Sequence, residues 1–227
     1  MPRAALLAGG GAVLLALAFG VAPPAAAHEA HPSPAAAPAP TPAAPGPGLA
    51  DPALAGRPFL PRIKPARDFA LADTSGRTVR LSALAGRVRV VNFIFSTCPS
   101  ACPLLTQRLA LLQEALAAAG KGDAVAFLTV TVDPARDDRA TLAAYADRFG
   151  ADLRTWSFLT GRPEEVGPVL AAWDEWTRRL PSGELDHPAR LYLIDRGGTV
   201  REIYSLSFFD ERQALLDVEA LLAEPAS

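Results

Sequence analysis

The chain has 227 residues, a formal net charge of −2 and an apolar fraction of 50%. Its basic residues are scattered rather than gathered into a stripe, which argues against a nucleic-acid partner. Alanine in the N-terminal region inflates the apolar fraction, so the composition as a whole does not indicate a membrane protein.

The first 27 residues have the pattern of an export signal. Arg3 supplies a weakly positive start, residues 12–21 form an apolar stretch, and residues 25–27 are a small-residue cleavage site. Residues 4–22 are also about as long as the shortest membrane-spanning helix, so an uncleaved anchor is the alternative. We therefore expect an exported protein, in the periplasm or at the outer face of the cytoplasmic membrane, that touches the membrane only through such an anchor.

Residues 28–58 are rich in alanine and proline, as in "HPSPAAAPAPTPAAPGPG". Frequent proline removes backbone donors and prevents regular helix or sheet. We therefore predict a disordered, extended linker that precedes one folded domain over residues 59–227.

The folded part begins with a predicted N-terminal β-hairpin, residues 68–73 and 78–84, which turns at residues 74–76. Residues 87–95 are a β-branched and aromatic run typical of a buried strand. Four leucines then recur at spacings of four, three and four, which predicts one face of a helix that stops at Gly120. These leucines are Leu105, Leu109, Leu112 and Leu116.

Strand and helix patterns continue to alternate toward the C terminus. The sequence predicts strands at residues 124–133, 155–161, 190–195 and 200–206, and helices ending at Phe149, over residues 163–176 and over residues 210–223. Asp137 or Asp138 is expected to cap the helix that ends at Phe149. Trp173 and Trp176, three residues apart on the helix over residues 163–176, are expected to pack, with the edges of their rings near the surface. The order of elements predicts an α/β fold of the thioredoxin-like type, with a mixed central sheet and helices on both faces.

The only two cysteines lie at one strand-to-helix turn, in the stretch "VVNFIFSTCPSACPLLTQRL" over residues 90–109. Pro103 suits the first position of the leucine helix, which places Cys98 in a turn and Cys102 at the helix entrance. Both sulfurs would then lie near unpaired amides at the positive end of a helix dipole, which favours thiolates. Functional groups of such sheets gather at this end of the parallel strands.

Three kinds of chemistry fit the pair. Two cysteines four positions apart in a turn can form a disulfide, so reversible oxidation is feasible. Two thiolates can also hold a soft metal such as Cu(I), whereas a zinc site would normally need four ligands. An inert disulfide staple is the third possibility, but a short loop gains little entropic stabilisation from it.

The cysteine stretch resembles the signature of the SCO/SenC family, and the similarity extends through "TVTVDPARDDRATLAAYADRFG" and "LDHPARLYLIDRGGTV", about residues 66–222. The resemblance implies a thioredoxin-like copper protein that assists assembly of the CuA centre of cytochrome c oxidase. It implies one copper ion, as Cu(I) or Cu(II), bound by Cys98, Cys102 and His187.

His187 also has a place in the predicted fold, since it ends a polar loop just before the strand at residues 190–195, where the chain should return beside the cysteines. Asp186 either orients the His187 ring or forms the turn, and Asp133 is left open as a support of the cysteine loop. The family commonly has a small hydroxyl residue after this histidine, where Pro188 stands here. Thioredoxin-type reductases carry a proline at a comparable place, which adds weight to redox chemistry.

His28 and His31 would lie at the new N terminus after signal cleavage and could bind Cu(II), but we expect the flanking segment to be unstructured. We therefore predict an exported copper chaperone with a redox-active cysteine pair. Its partners would be the copper subunit of cytochrome c oxidase, or another copper acceptor, and a thiol-disulfide reductant. The alternative is a thiol-disulfide oxidoreductase that binds copper incidentally; a peroxidase would need an arginine beside its reactive cysteine.

Overall fold

A computed structural model describes residues 59–181, 185–205 and 209–225 of the chain. The expected signal at residues 1–27 and the linker at residues 28–58 lie outside these ranges, as do His28 and His31. Within the described ranges, no helix is both long and apolar enough to cross a membrane.

The described residues form ten strands and four α-helices. The strands are β1 (Lys64–Pro65), β2 (Ala70–Asp73), β3 (Thr78–Arg80), β4 (Val88–Ile94), β5 (Val125–Thr131), β6 (Trp156–Thr160), β7 (Arg178–Arg179), β8 (Leu185–Asp186), β9 (Arg190–Ile194) and β10 (Thr199–Ser205). The helices are α1 (Ala101–Ala118), α2 (Arg139–Arg148), α3 (Pro163–Ala172) and α4 (Glu211–Ala223). The predicted hairpin, buried strands and leucine helix are therefore all present.

Eight strands form one mixed sheet in the order β1-β10-β9-β4-β5-β6-β2-β3, and β7 pairs separately with β8. The central strands β4, β5 and β6 are parallel, while β9 runs antiparallel to β4. All seven residues of β4 and of β5 are buried, as expected for strands covered on both faces. Because β4, β5 and β6 point the same way, their carboxyl ends meet at one edge, and the cysteine turn follows β4 there.

Helices cover both faces of the sheet, as predicted. Helix α1 packs against α4, and Tyr145 of α2 contacts Thr106 of α1 through their hydroxyls, 3.0 Å apart. On the opposite face, the Trp173 ring at the end of α3 packs against Phe93 of β4 and Tyr192 of β9. The four leucines that predicted α1 are all buried in the core between these layers.

The helix boundaries correct two expectations. Helix α1 begins at Ala101 with Ser100 as its N-cap, so Pro103 is the third helical residue rather than the first. The sequence misled because every position of the first turn lacks a helical partner for its N–H, and proline is tolerated at several of them. Helix α3 was expected to extend to residue 176 but ends at Ala172. Trp173 is its C-cap, and Asp174 takes a positive φ of 58°.

The first and last segments of the described chain are joined where β4 begins, at the end of the sheet opposite the cysteines. The buried guanidinium of Arg201 on β10 donates to the backbone carbonyls of Leu60 and Pro61. It also pairs with Asp195, at 3.2 Å, and with Glu224, at 2.6 Å. One side chain thus ties the entering and the leaving segments to the same strand.

Candidate metal centre

The cysteine turn and the loop before β9 meet at the carboxyl edge of the central strands. His187 Nε2 lies 3.7 Å from Cys102 Sγ, although 85 residues separate them in the sequence. Both cysteines are free thiols; Cys98 is partly exposed and Cys102 is buried. The structure therefore brings together all three residues that the sequence singled out.

The turn before α1 gives the two thiols different surroundings. Cys98 Sγ accepts the backbone N–H of Cys102 at 3.4 Å. A hydrogen bond from the Cys102 thiol, together with the amides of Cys102, Ser100 and Ala101, lowers the pKa of Cys98 to about 5. This is the effect of a helix N terminus on a nearby thiol.

Cys102 behaves in the opposite way, and this corrects the expectation that both cysteines favour the thiolate. Its hydrogen bond to Cys98 and its burial raise the pKa of Cys102 far above the ordinary value, and the charges of Cys98 and Asp137 act in the same direction. The pair therefore consists of one accessible thiolate and one buried thiol that donates to it.

The His187 ring is held between the cysteine turn and the core. It packs edge-on against Phe95, with ring centroids 5.6 Å apart. Burial lowers the pKa of His187, so the neutral imidazole is favoured, and its buried Nδ1 has no hydrogen-bond partner. A neutral ring with Nε2 toward the sulfurs is the form in which histidine binds metals.

A shallow pocket of about 180 Å³ opens beside these residues. It is lined by Phe95, Cys98, Pro99, Ser100, Ala101, Leu185, Asp186, His187 and Ala189. Cys102 lies behind this lining, so an incoming molecule meets Cys98 and His187 first. No arginine is among these lining residues, in contrast to what the peroxidase alternative would require.

The donor set fits a thiophilic ion in composition. Two sulfurs and an imidazole nitrogen are the ligands that soft transition metals select. Donors about 2.0–2.3 Å from one ion, at a trigonal angle, stand about 3.7 Å apart, which matches the spacing of Cys102 and His187. Among the described residues, however, no three His, Cys, Asp or Glu side chains already converge in metal-binding geometry.

Asp137 supports the cysteine turn, which sequence reasoning did not anticipate. The carboxylate is buried and accepts the backbone N–H and the hydroxyl of Ser96, two residues before Cys98, and the hydroxyl of Thr131. Asp138, and not Asp137, is the N-cap of α2 and accepts from Thr141 N–H. Of the two aspartates considered as the cap of this helix, Asp138 therefore has that role and Asp137 does not.

Two other acidic residues do not contact the ligand candidates. The Asp133 carboxylate pairs with Arg136, so the support considered for Asp133 comes from Asp137 instead. Asp186 pairs with Arg178 across the β7–β8 ribbon and does not hydrogen-bond His187. Trp176 is 49% exposed and lies against Arg178, so it packs less fully than Trp173, which is buried.

Comparison with known proteins agrees with this geometry. The family model described as SCO1/SenC matches residues 61–223. The chain belongs to the SCO1/SenC family. Its fold is accordingly the thioredoxin-like fold of Sco proteins, as the sequence predicted.

Individual relatives are similar over the same domain. The SCO1 protein homolog of Bacillus subtilis is 29% identical over 140 residues, which are 60% of this chain and 72% of that protein. The mitochondrial SCO2 homolog of Bos taurus is 30% identical over 143 residues, which are 61% of this chain and 53% of the bovine protein. The chain thus spans only about half of the bovine relative. The structure of ScoI from Bradyrhizobium japonicum with copper bound is 26% identical, with a TM-score of 0.61, over 69% of this chain and 99% of that one.

Proposed function

We propose that the protein is an exported copper chaperone in which Cys98, Cys102 and His187 hold one copper ion. The acceptor would be the copper centre of cytochrome c oxidase or another copper-binding protein, as the family resemblance implies. The observation that carries the proposal is the 3.7 Å approach of His187 Nε2 to Cys102 Sγ at the rim of the pocket. A copper-bound Sco structure of the same fold supports it.

The surroundings of each ligand suit stepwise transfer of the ion. Cys98 is already a thiolate at neutral pH and lies at the pocket, so it is the first sulfur that copper meets. Cys102 gives up its proton when the metal binds, because a coordinating thiol is deprotonated. His187 needs no deprotonation, since burial keeps the ring neutral. Release would reverse this order, with Cys98 exchanged last for a ligand of the acceptor.

The experiment that tests the proposal is an anaerobic copper titration of the reduced protein against a competing chelator, followed by absorption and EPR. His187→Ala should weaken copper binding by at least about 100-fold, the upper end of what loss of an outer-shell contact produces. The matched control is the double variant His28→Ala and His31→Ala, which should bind copper as the wild type does. Unchanged affinity in His187→Ala would remove this residue from the site.

The asymmetry of the two thiols supports a second candidate, a thiol-disulfide oxidoreductase. In this role the Cys98 thiolate attacks one sulfur of an acceptor disulfide, breaks the S–S bond, forms a mixed disulfide with that sulfur and releases the other sulfur as a thiolate. Cys102 then displaces the reduced acceptor thiol, closes the Cys98–Cys102 disulfide and loses its proton. An external thiol reductant returns the pair to the reduced form.

The thiol asymmetry is itself testable by alkylation. Cys98 should react with iodoacetamide with a midpoint near pH 5, because the helix amides and Cys102 lower its pKa to about 5. Cys102 should stay unmodified in the folded protein, and mass spectrometry of peptides distinguishes the two. Equal reactivity of both thiols would contradict the asymmetry, and rapid turnover of a disulfide substrate with weak copper affinity would favour the oxidoreductase over the chaperone.

A further inference from the structure

A buried polar cluster joins the two ends of the segment that carries His187. It consists of Glu175, just after α3, Tyr192 on β9 and the backbone carbonyl of Trp173. The Tyr192 hydroxyl lies 2.8 Å from Glu175 Oε1 and 2.9 Å from the Trp173 carbonyl oxygen. Arg190 donates to the carbonyl of Asp174 at 3.0 Å and lies 3.7 Å from Glu175 Oε1. The chain leaves the core at one side of this cluster and returns to it three residues after His187.

The number of protons in the cluster decides which hydrogen bonds can coexist. Tyr192 has one hydroxyl proton and cannot donate to two acceptors at once. When Tyr192 donates to the Trp173 carbonyl, its short contact with Glu175 requires a proton on the carboxyl group. When Glu175 is ionised, Tyr192 donates to the carboxylate and the Trp173 carbonyl loses this donor. The cluster therefore has two hydrogen-bonded states that differ by one proton.

The burial of Glu175 favours the protonated state. The side chain is completely buried, and Oε2 has no hydrogen-bond partner. An ionised carboxylate with an unpaired oxygen is costly inside a protein, whereas a neutral acid loses less.

Nearby charges oppose this effect only in part. Burial raises the pKa of Glu175 to about 7, with Arg190, Lys64 and the Tyr192 hydroxyl favouring the ionised form and Asp174 favouring the neutral one. Asp174 is itself paired with Lys64 of β1 at 3.1 Å. Both hydrogen-bonded states are therefore accessible near neutral pH.

We infer that Glu175 is a positioning residue for His187, and that the proton it shares with Tyr192 decides how firmly the start of β9 is held against the end of α3. With Glu175 neutral, hydrogen bonds run without a break from Glu175 through Tyr192 to Trp173. With Glu175 ionised, that chain is cut at the Trp173 carbonyl and the carboxylate is drawn toward Arg190. The consequence for copper rests on the proposed function, whereas the change in position does not.

Hydrogen exchange of the metal-free, reduced protein tests the inference. We would measure the protection factors of the backbone amides at residues 189–192 at pH 6 and pH 8. Each protection factor is calculated relative to the intrinsic exchange rate at the same pH. In the wild type they should fall about tenfold at pH 8, the change that corresponds to one unit of pKa displacement. Protection of β5, on the far side of β4, should not change.

Three variants separate the proton from a general loss of structure. Glu175→Gln should keep high protection at both pH values, because the side-chain amide donates to Tyr192 as the neutral acid does. Tyr192→Phe should give low protection at both. Glu164→Gln alters an exposed glutamate at the other end of α3 and should follow the wild type.

Two results would overturn the inference: equal wild-type protection at the two pH values, or a Glu175→Gln variant with the pH response of the wild type. Should Tyr192→Phe fail to fold, the comparison of wild type with Glu175→Gln still decides. Copper titration adds an independent arm. If His187→Ala leaves copper affinity unchanged while Glu175→Gln removes the pH response of exchange, the proposed function fails and the positioning role of Glu175 stands.

Discussion

Asp137 and Glu175 are both buried carboxylates, but their hydrogen-bond partners differ greatly. Asp137, on the cysteine side, accepts three hydrogen bonds from Ser96 and Thr131. Glu175, on the histidine side, shares one tyrosine hydroxyl, and its second oxygen has no hydrogen-bond partner. The exposed fractions of the two residues are nearly equal, at 1% and 2%. Burial alone therefore does not determine what a buried acid does.

The difference lies in the donors. Three donors directed at the Asp137 carboxylate offset the cost of burying it. Its charge contributes to the raised pKa of Cys102. Glu175 has too few donors to be stably charged, so its state depends on pH.

The largest expected effect comes from removing the better satisfied acid. Asp137→Ala leaves the Ser96 amide, the Ser96 hydroxyl and the Thr131 hydroxyl without an acceptor. We expect a loss of about 3–5 kcal/mol in the free energy of unfolding, measured by urea denaturation. Asp137→Asn keeps one acceptor oxygen and should lose less. An Asp137→Ala variant as stable as the wild type would show that these contacts do not hold the cysteine turn.

The second prediction concerns pH and Glu175. Because its pKa in the folded chain is about 7, above the ordinary 4.5, the folded state binds this proton more tightly than the unfolded state. The resulting stabilisation is fully present below about pH 4.5 and is lost as the pH rises through about 7, by roughly 3 kcal/mol. Glu175→Gln should flatten that part of the pH profile of unfolding. A profile identical to the wild type would mean that folding does not shift the pKa of Glu175.

The smallest effect on stability and copper affinity is expected at Asp186. This residue is next to His187 in the sequence but hydrogen-bonds Arg178 instead. Its pair with Arg178 is largely exposed, so Asp186→Asn should cost under about 1 kcal/mol in thermal or urea unfolding. Copper affinity should stay within about threefold of the wild type, since the carboxylate does not bond the imidazole. A large drop in copper affinity with unchanged stability would restore the orienting role considered for Asp186.

The order and type of the main helices and strands could be predicted from the sequence because their hydrophobic patterns are strong. The leucine spacing of α1 and the buried runs of β4 and β5 placed these elements within two residues of their observed ends. The cysteine pair and His187 stood out because their chemistry is rare in this chain and because the family motif surrounds them. The sequence, read together with the family resemblance, thus located two side chains, Cys102 and His187, that the fold brings together across 85 positions.

The buried acids were not readable in the same way. Nothing in the pattern distinguishes Asp137 from Asp138, since both precede a helix; only the Ser96 backbone, 41 residues earlier, makes one of them a buried acceptor. The role of Glu175 depends on a phenol 17 residues later and on a helix that ends sooner than its apolar pattern suggested. Such partners are set by tertiary packing, which local periodicity does not encode.

The joint that Arg201 makes between Leu60, Pro61 and Glu224 has a mechanical consequence. Lys64 of β1 pairs with Val200 at the start of β10, and this is the edge where β4 begins, whereas the cysteines follow the end of β4. A force applied to the chain at Leu60 therefore acts first on the Arg201 hydrogen bonds and on β1, at the end of the sheet where β4 begins. It does not act directly on the turn at residues 98–102.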